Sequence, residues 1–269
     1  MRRLRPLLRR QRNLDTFKER RVLDAAFAIL GIAVGFLVGL TGIGGGALMT
    51  PSLIFLGLEP LRAVGTDLLF VTATKIFGTA FHHRMGRVRY DLALRLLAGS
   101  IPAVILGGFL LRLIERDVLN DYLTLLLGII LMASATMSMA KKELNPPIRP
   151  RMYHLYILGF AVGLTVQFTS VGAGVIVGFA LINLARISPS EVVGISIFYG
   201  LLLSLMSFVN YALISSVDYR VAGMLIPGSV LGVYAGTRIS TKVEGDKLKK
   251  VINMLIAAVG LAILLNFIV

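Results

Sequence analysis

The stretch AAFAILGIAVGFLVGLTGIGGGALMTPSLIFLGL, residues 25–58, decides the fold because it runs 34 residues without an Asp, Glu, Lys or Arg. Residues 152–185 form a second uncharged run of the same length. A single helix of that length would measure roughly 50 Å, whereas the hydrocarbon core of a bilayer is about 30 Å thick. Each run therefore predicts one membrane-crossing helix followed by a shorter broken or re-entrant helix.

A glycine cluster interrupts each run: Gly44-Gly45-Gly46 in the first and Gly172-Ala173-Gly174 in the second. Irregular backbone at membrane depth survives only where protein buries it or where it lines a wet cavity. Glycines let backbone N–H groups converge on an anion, and a half-helix that starts there directs its positive end to the same point. We expect both turns to bind substrate; close helix packing through small residues is the alternative.

The composition is that of a polytopic membrane protein, with 56% hydrophobic residues, 16% charged residues and a mean hydropathy of +0.82. The absence of cysteine excludes disulfides and thiolate metal sites. The net charge is +14, and residues 1–22 hold nine Lys or Arg against two acidic residues. A basic arm before a hydrophobic span predicts a cytoplasmic N-terminus next to anionic lipid headgroups, and no nucleic-acid binding.

The two halves of the chain repeat one another. At spacings of 128 and 129 residues, eleven positions carry the same residue in both halves, among them Gly35 with Gly163, Thr41 with Thr169 and Gly65 with Gly194. Such duplication with interrupted hydrophobic segments is typical of secondary transporters. It predicts a basic arm at 1–22, a first transmembrane repeat at 23–140, a linker at 141–151 and a second repeat at 152–269.

Each repeat contains five hydrophobic segments, of which four are long enough to cross a bilayer. The segments are 23–40, 47–58, 64–81, 92–111 and 122–140, then 153–168, 175–185, 192–213, 221–237 and 251–269. Basic loops at 84–89 and 141–151 favour eight spans, with the linker and both termini in the cytoplasm. The basic loop at 238–250 disagrees with that topology, so inverted repeats with crossing short segments stay an alternative.

Lys75 is the most informative single residue, because an ammonium inside an apolar span costs at least about 2.5 kcal/mol and is usually functional. We expect it to attract an anion; snorkelling to the interface is the alternative. Asp67 lies eight residues earlier, where the sequence Gly65-Thr66-Asp67 suggests a helix cap or, alternatively, a proton-coupling carboxylate.

His82 and His83 follow in the same segment. Two adjacent helical histidines cannot face one metal ion, so we expect gating or interfacial anchoring rather than a metal site, and no cofactor. No Ser-His-Asp set, phosphate-binding loop or dinucleotide fingerprint occurs, so catalysis is not expected.

Taken together, the motifs resemble the sulfite exporter TauE/SafE family, also grouped as toluene-sulfonate uptake permeases. The resemblance rests on GLTGIGGG at 39–46 with Pro51, VGTDLL at 64–69 with Thr74-Lys75, HHR at 82–84 with Gly86 and Val88, and TSVGAG at 169–174. It implies an inner-membrane carrier, built from duplicated halves, for sulfur-containing anions such as sulfite, sulfonates or sulfoacetate. The arm before residue 23 lies outside the resemblance. The hydrophobic segments themselves predict an all-α polytopic membrane protein.

The sequence therefore predicts a secondary transporter in which Thr41, Gly44, Gly45, Gly46, Lys75, Thr169, Ser170, Gly172 and Gly174 bind the anion. Asp67, His82 and His83 are the candidates for proton coupling or gating. A passive anion channel and a non-transporting scaffold are the alternatives. The expected partners are a small anion and the lipid bilayer, and the sequence does not indicate an oligomeric state.

Overall fold

The structure, a computed structural model, describes residues 22–38, 46–84, 89–139, 152–184, 187–240 and 245–268, and within these ranges all regular elements are helical. The ten helices of the described ranges are α1 Val22–Val38, α2 Gly46–Phe55, α3 Pro60–Arg84, α4 Tyr90–Leu113, α5 Arg116–Met139, α6 Met152–Thr169, α7 Ala173–Phe179, α8 Pro189–Leu213, α9 Tyr219–Ser240 and α10 Gly245–Ile268. This confirms the all-α prediction.

Each uncharged run contains a long helix followed by a short one, as predicted: α1 with α2 in the first run, and α6 with α7 in the second. After α6 the chain leaves the helix at Ser170, with φ of 60°, and at Gly172, with φ of +117°. Gly172 suits this left-handed conformation because it has no Cβ. α7 ends in a π-helical turn, Ala180–Leu184.

Four helices in the described part of the chain are long and apolar enough to cross a membrane: 90–113, 116–138, 152–169 and 191–213. The segments 22–38, 46–55, 173–183 and 251–267 are shorter apolar helices. α3 has 25 residues but carries Arg62, Asp67 and Lys75 along its length. The chain is therefore a polytopic membrane protein with a charged helix among its long ones.

The first helix of each half packs against the fourth helix of the other half. α1 lies parallel to α9, where a methyl group at Gly35 would come within 2.5 Å of the Ser229 carbonyl oxygen. α6 lies parallel to α4, where Gly159 packs directly on the Leu96 carbonyl. The absence of a side chain at these glycines lets the two backbones approach closely.

The third helices of the two halves, α3 and α8, pack antiparallel. Gly65 packs on Tyr211 near one end of this contact, and Gly78 packs on Ile197 near the other. The fifth helices, α5 and α10, are antiparallel as well, with Gly128 near Leu264 and Asn253 hydrogen-bonded to Ser138. Helices at corresponding positions in the two halves therefore run in opposite directions.

These directions differ from the topology that the basic loops first suggested. α1 and α3 start at the same end of the bundle, since Asp24 pairs with Arg220 at the start of α9 and Thr66 accepts a hydrogen bond from Asp218 N. α5 consequently ends at the opposite end of the bundle from the start of α1. The expectation that the linker and the N-terminus share a side is wrong, because α2 leads the chain back to the end where α1 began.

The apolar core consists of two clusters that meet along α3. One cluster includes Leu61, Val64 and Leu68 and continues into α4, α6 and α8. The other includes Phe70 and Val71 and continues into α1, α2, α5, α9 and α10. α3 thus places the buried Asp67 between the two clusters.

Candidate functional site

Asp67 lies in the interior of α3 and is fully buried, with 0% exposure. The expected capping role is wrong, because α3 begins at Pro60 and Asp67 falls in its third turn, where the helix satisfies its own N–H groups. A carboxylate buried in this way requires polar partners from other elements.

The partners of Asp67 come from both uncharged runs. The Thr50 hydroxyl on α2 donates a 2.5 Å hydrogen bond to Asp67 Oδ2, and the same hydroxyl lies 3.4 Å from the Thr169 carbonyl oxygen. The Ser170 hydroxyl lies beside the carboxylate. A methyl group at Gly46 would lie 3.4 Å from Asp67 Oδ2 and 2.5 Å from the Ser170 carbonyl oxygen. We call this group, Gly46, Thr50, Asp67, Thr169 and Ser170, the break junction.

Two polar atoms of the break junction lack hydrogen-bond partners within the described residues: Asp67 Oδ1 and Ser170 Oγ. The Thr169 hydroxyl, in contrast, donates to the Thr165 carbonyl and accepts from Val171 N. Thr169 therefore closes the end of α6, and its hydroxyl proton is donated to the Thr165 carbonyl oxygen. The sequence did not indicate Thr50, whose only signal is a position one turn into α2.

Lys75 lies two helical turns beyond Asp67, on the side of α3 that faces α8. Its Nζ occupies the space beside Gly200, where any side chain would collide with the ammonium. Within the described part of the chain, Lys75 has no direct ion pair or hydrogen bond, although it interacts electrostatically with Asp67. The side chain is partly exposed. The ammonium is thus held between two central helices.

Hydroxyl groups surround the Lys75 position on both helices. On α3, Thr72 and Thr79 lie three residues before and four residues after Lys75, so they share its face. On α8, Ser196 and Ser204 lie four residues either side of Gly200, and Ser204 Oγ is 3.0 Å from Thr72 Oγ1. The hydroxyls of Thr79 and Ser196 are buried without partners in the described residues. We call Thr72, Lys75, Thr79, Ser196, Gly200 and Ser204 the lysine seam.

The structure therefore separates residues that the sequence grouped into one anion site. Gly46, Thr169 and Ser170 meet at an acidic junction, while Lys75 belongs to the lysine seam. Gly172 forms the turn before α7, and Gly174 lies in the first turn of α7. Thr41, Gly44 and Gly45 lie outside the described residues, as do the side chains of His82 and His83 in the last turn of α3.

The described residues contain no group of three or more His, Asp or Glu side chains suited to a metal ion. The two polar groups differ in chemistry: the break junction offers oxygen ligands around one carboxylate, whereas the lysine seam offers an ammonium and hydroxyl donors. The first arrangement suits a cation and the second suits an anion.

Comparison with known proteins agrees with a membrane transporter. The family model for the sulfite exporter TauE/SafE matches residues 27–263. The probable membrane transporter protein YjnA of Bacillus subtilis is 32% identical over 254 residues, which cover 90% of this chain and 100% of the relative. YunE of the same organism, also named a probable membrane transporter protein, is 25% identical over 86% of this chain and 94% of its own length. The probable membrane transporter protein MJ0441 of Methanocaldococcus jannaschii is 26% identical over 88% of this chain and 94% of its own length. No solved structure matches.

Proposed function

Because the chain belongs to the sulfite exporter TauE/SafE family of membrane transporters, we propose that it is a secondary carrier for a small sulfur-containing oxyanion. The candidate substrates are sulfite, organic sulfonates and sulfoacetate. We place the carrier in the cell inner membrane. The family name supports a sulfur-containing substrate, and the ammonium of the lysine seam supports a substrate that is negatively charged.

The single observation that carries the proposal is the position of Lys75 beside Gly200 in the centre of the bundle. An ammonium without a direct carboxylate partner attracts a negative ligand strongly at low dielectric. The tetrahedral or pyramidal oxygens of a sulfur oxyanion accept several hydrogen bonds at once, which the hydroxyls of Thr79 and Ser196 offer. One ammonium with neutral donors matches a small anion of low charge.

The helix directions support a rocking mechanism. Corresponding helices of the two halves are antiparallel, which is the arrangement of inverted repeats related by an axis in the membrane plane. Thr72, Lys75, Gly200 and Ser204 lie where α3 and α8 cross this axis. A substrate bound in the lysine seam would be reached from one side when the halves tilt one way and from the other side after they tilt back.

Binding and counterflow measurements on the purified protein test the proposal. We expect sulfite, thiosulfate, sulfoacetate or taurine to bind saturably to the wild type and to drive exchange of labelled for unlabelled substrate in proteoliposomes. A passive channel would conduct without such counterflow. Binding that is equally strong in Lys75→Met would contradict the assignment of the anion to the lysine seam.

A further inference from the structure

We propose that the break junction binds one sodium ion, with Asp67, Thr50 and Ser170 as side-chain ligands. This site is separate from the lysine seam and goes beyond the proposed anion transport. Sodium would be the coupling ion of the carrier. It would bind at the break junction, while the anion binds at the lysine seam.

The oxygen atoms required for a hard cation are already gathered. Asp67 Oδ2 and Thr50 Oγ1 are 2.5 Å apart, and Thr50 Oγ1 is 3.4 Å from the Thr169 carbonyl oxygen. The Ser170 hydroxyl lies beside the carboxylate, and the Ser170 carbonyl approaches the same region near Gly46. Carboxylate, hydroxyl and unwound-helix carbonyl oxygens are the ligands that sodium-coupled carriers use.

Two of these atoms point to a missing ligand. Asp67 is fully buried and Ser170 is only 7% exposed. The Ser170 hydroxyl approaches the carboxylate, yet neither Ser170 Oγ nor Asp67 Oδ1 has a partner of full hydrogen-bond distance and angle in the part of the chain that the structure describes. Buried polar atoms are rarely left unsatisfied, because each one costs about 1–3 kcal/mol. A cation bound between them would satisfy both at once.

The break junction contains one acidic side chain and no basic one, which favours a cation over an anion. The end of α6 at Thr169 contributes the negative end of its dipole, the start of α2 at Gly46 contributes a positive end, and Asp67 adds a carboxylate. Lys75 lies two turns away and forms no ion pair with Asp67. A single carboxylate with neutral oxygens suits a monovalent ion, since calcium takes six to eight oxygens and usually several carboxylates.

The second half lacks the same ligands, so one sodium ion is expected per chain. The position that corresponds to Asp67 at a spacing of 129 is Ser196, and those that correspond to Thr50 at 128 and 129 are Gly178 and Phe179. No carboxylate or hydroxyl pair recurs there.

Thermal unfolding of the purified full-length protein, with sodium chloride as the only probe and choline or potassium chloride at equal ionic strength as the reference, tests the site. We expect sodium to raise the midpoint of unfolding saturably in the wild type, because a ligand that binds only the folded state stabilises it. The shift should vanish in Asp67→Asn and should need higher sodium in Ser170→Gly, which removes the hydroxyl while suiting the left-handed backbone.

Ser134→Ala is the matched control, because Ser134 is another buried serine whose Oγ lacks a partner in the described residues, on α5. Its sodium shift should equal that of the wild type. If Asp67→Asn does not fold, Ser170→Gly and Thr50→Val decide the question. No sodium-specific shift in the wild type, a full shift in all three junction variants, or a shift that follows pH alone would overturn the proposal.

These outcomes are distinct from failure of the proposed anion transport. The sodium shift is measured without any sulfur anion, whereas the anion proposal is tested by binding of sulfite or a sulfonate. A sodium shift without anion binding would reject only the anion assignment.

Discussion

α3 and α8 are equivalent in position but differ in chemistry. Each has 25 residues, each follows a short helix, and the two pack antiparallel at the centre of the bundle. At a spacing of 129 residues, Asp67 corresponds to Ser196 and Lys75 to Ser204. The two charged side chains in the middle of this helix pair, Asp67 and Lys75, therefore both come from α3.

The two central helices therefore share packing positions but differ in charge. The glycines that permit close packing recur in both halves, as Gly35 and Gly163 do, because both halves need the same helix contacts. A charge at the axis between the halves is needed only once, since a second ammonium in the same seam would repel the first. The two halves thus share packing glycines, while Asp67 and Lys75 occur only on α3.

Removing the charge that distinguishes α3 from α8 should have the largest effect. Lys75→Met should weaken anion binding by roughly 10- to 100-fold, because a hydrogen bond to a charged group contributes about 1.5–3 kcal/mol. Lys75→Arg should retain part of the affinity. Calorimetric titration with sulfite or a sulfonate measures both, and unchanged binding in the methionine variant would reject the role of Lys75.

Moving the charge from α3 to α8 tests the equivalence directly. In the double variant Lys75→Ser with Ser204→Lys, the ammonium should occupy the related position across the axis and restore part of the binding lost in Lys75→Ser alone. We expect recovery of about tenfold, equivalent to roughly 1.4 kcal/mol. Titration of the single and double variants side by side gives the answer; no recovery would mean that the two positions are not equivalent.

The short helices allow a comparison between two glycines. Gly46→Ala should destabilise the protein by about 1–3 kcal/mol, since the new methyl group would press on the Ser170 carbonyl. Gly178→Ala is the matched control in α7, because a methyl group there meets nothing within 4 Å. Denaturation midpoints should fall for the first variant and stay or rise for the second. Equal effects would contradict the close contact at the break junction.

A smaller effect is expected from the uncharged part of the lysine seam. Thr72→Val removes the hydroxyl that lies 3.0 Å from Ser204 Oγ and should cost about 0.5–1.5 kcal/mol of stability. Ser204→Ala should cost a similar amount, and the double variant should cost less than the sum. A double-mutant cycle on unfolding measures this coupling, and strict additivity would show that the two hydroxyls do not interact.

The smallest effect should come from the surface. Asp24 on α1 pairs with Arg220 on α9 at 2.6 Å, where Arg220 is exposed and Asp24 is partly exposed. The corresponding positions on α6 and α4 hold Met152 or Tyr153 and Asp91, so no equivalent pair forms there. Asp24→Asn should change stability by less than about 1 kcal/mol and leave anion binding unchanged. A larger loss in the unfolding midpoint would show that this pair orients α1.

The positions of the short helices were predictable because the hydropathy of a segment depends only on its own residues. The short helix expected at 47–58 is found at 46–55, and the one expected at 175–185 is found at 173–179 with the π turn to residue 184. The hydropathy pattern predicts a start of α3 at Val64, whereas the helix begins at Pro60, because Arg62 lowers the hydropathy of its first turn. That error produced the capping interpretation of Asp67.

The sequence by itself determined the membrane class, the helical segments and the family, because each of these depends on apolar length and local motif. Only the tertiary structure decided which residues meet. Thr50 on α2, Asp67 on α3 and Ser170 in the turn after α6 are brought together, and Lys75 is directed to Gly200 instead of the glycine turns. The physical reason is that helix direction and register arise from packing between distant segments, which no local pattern of residues records.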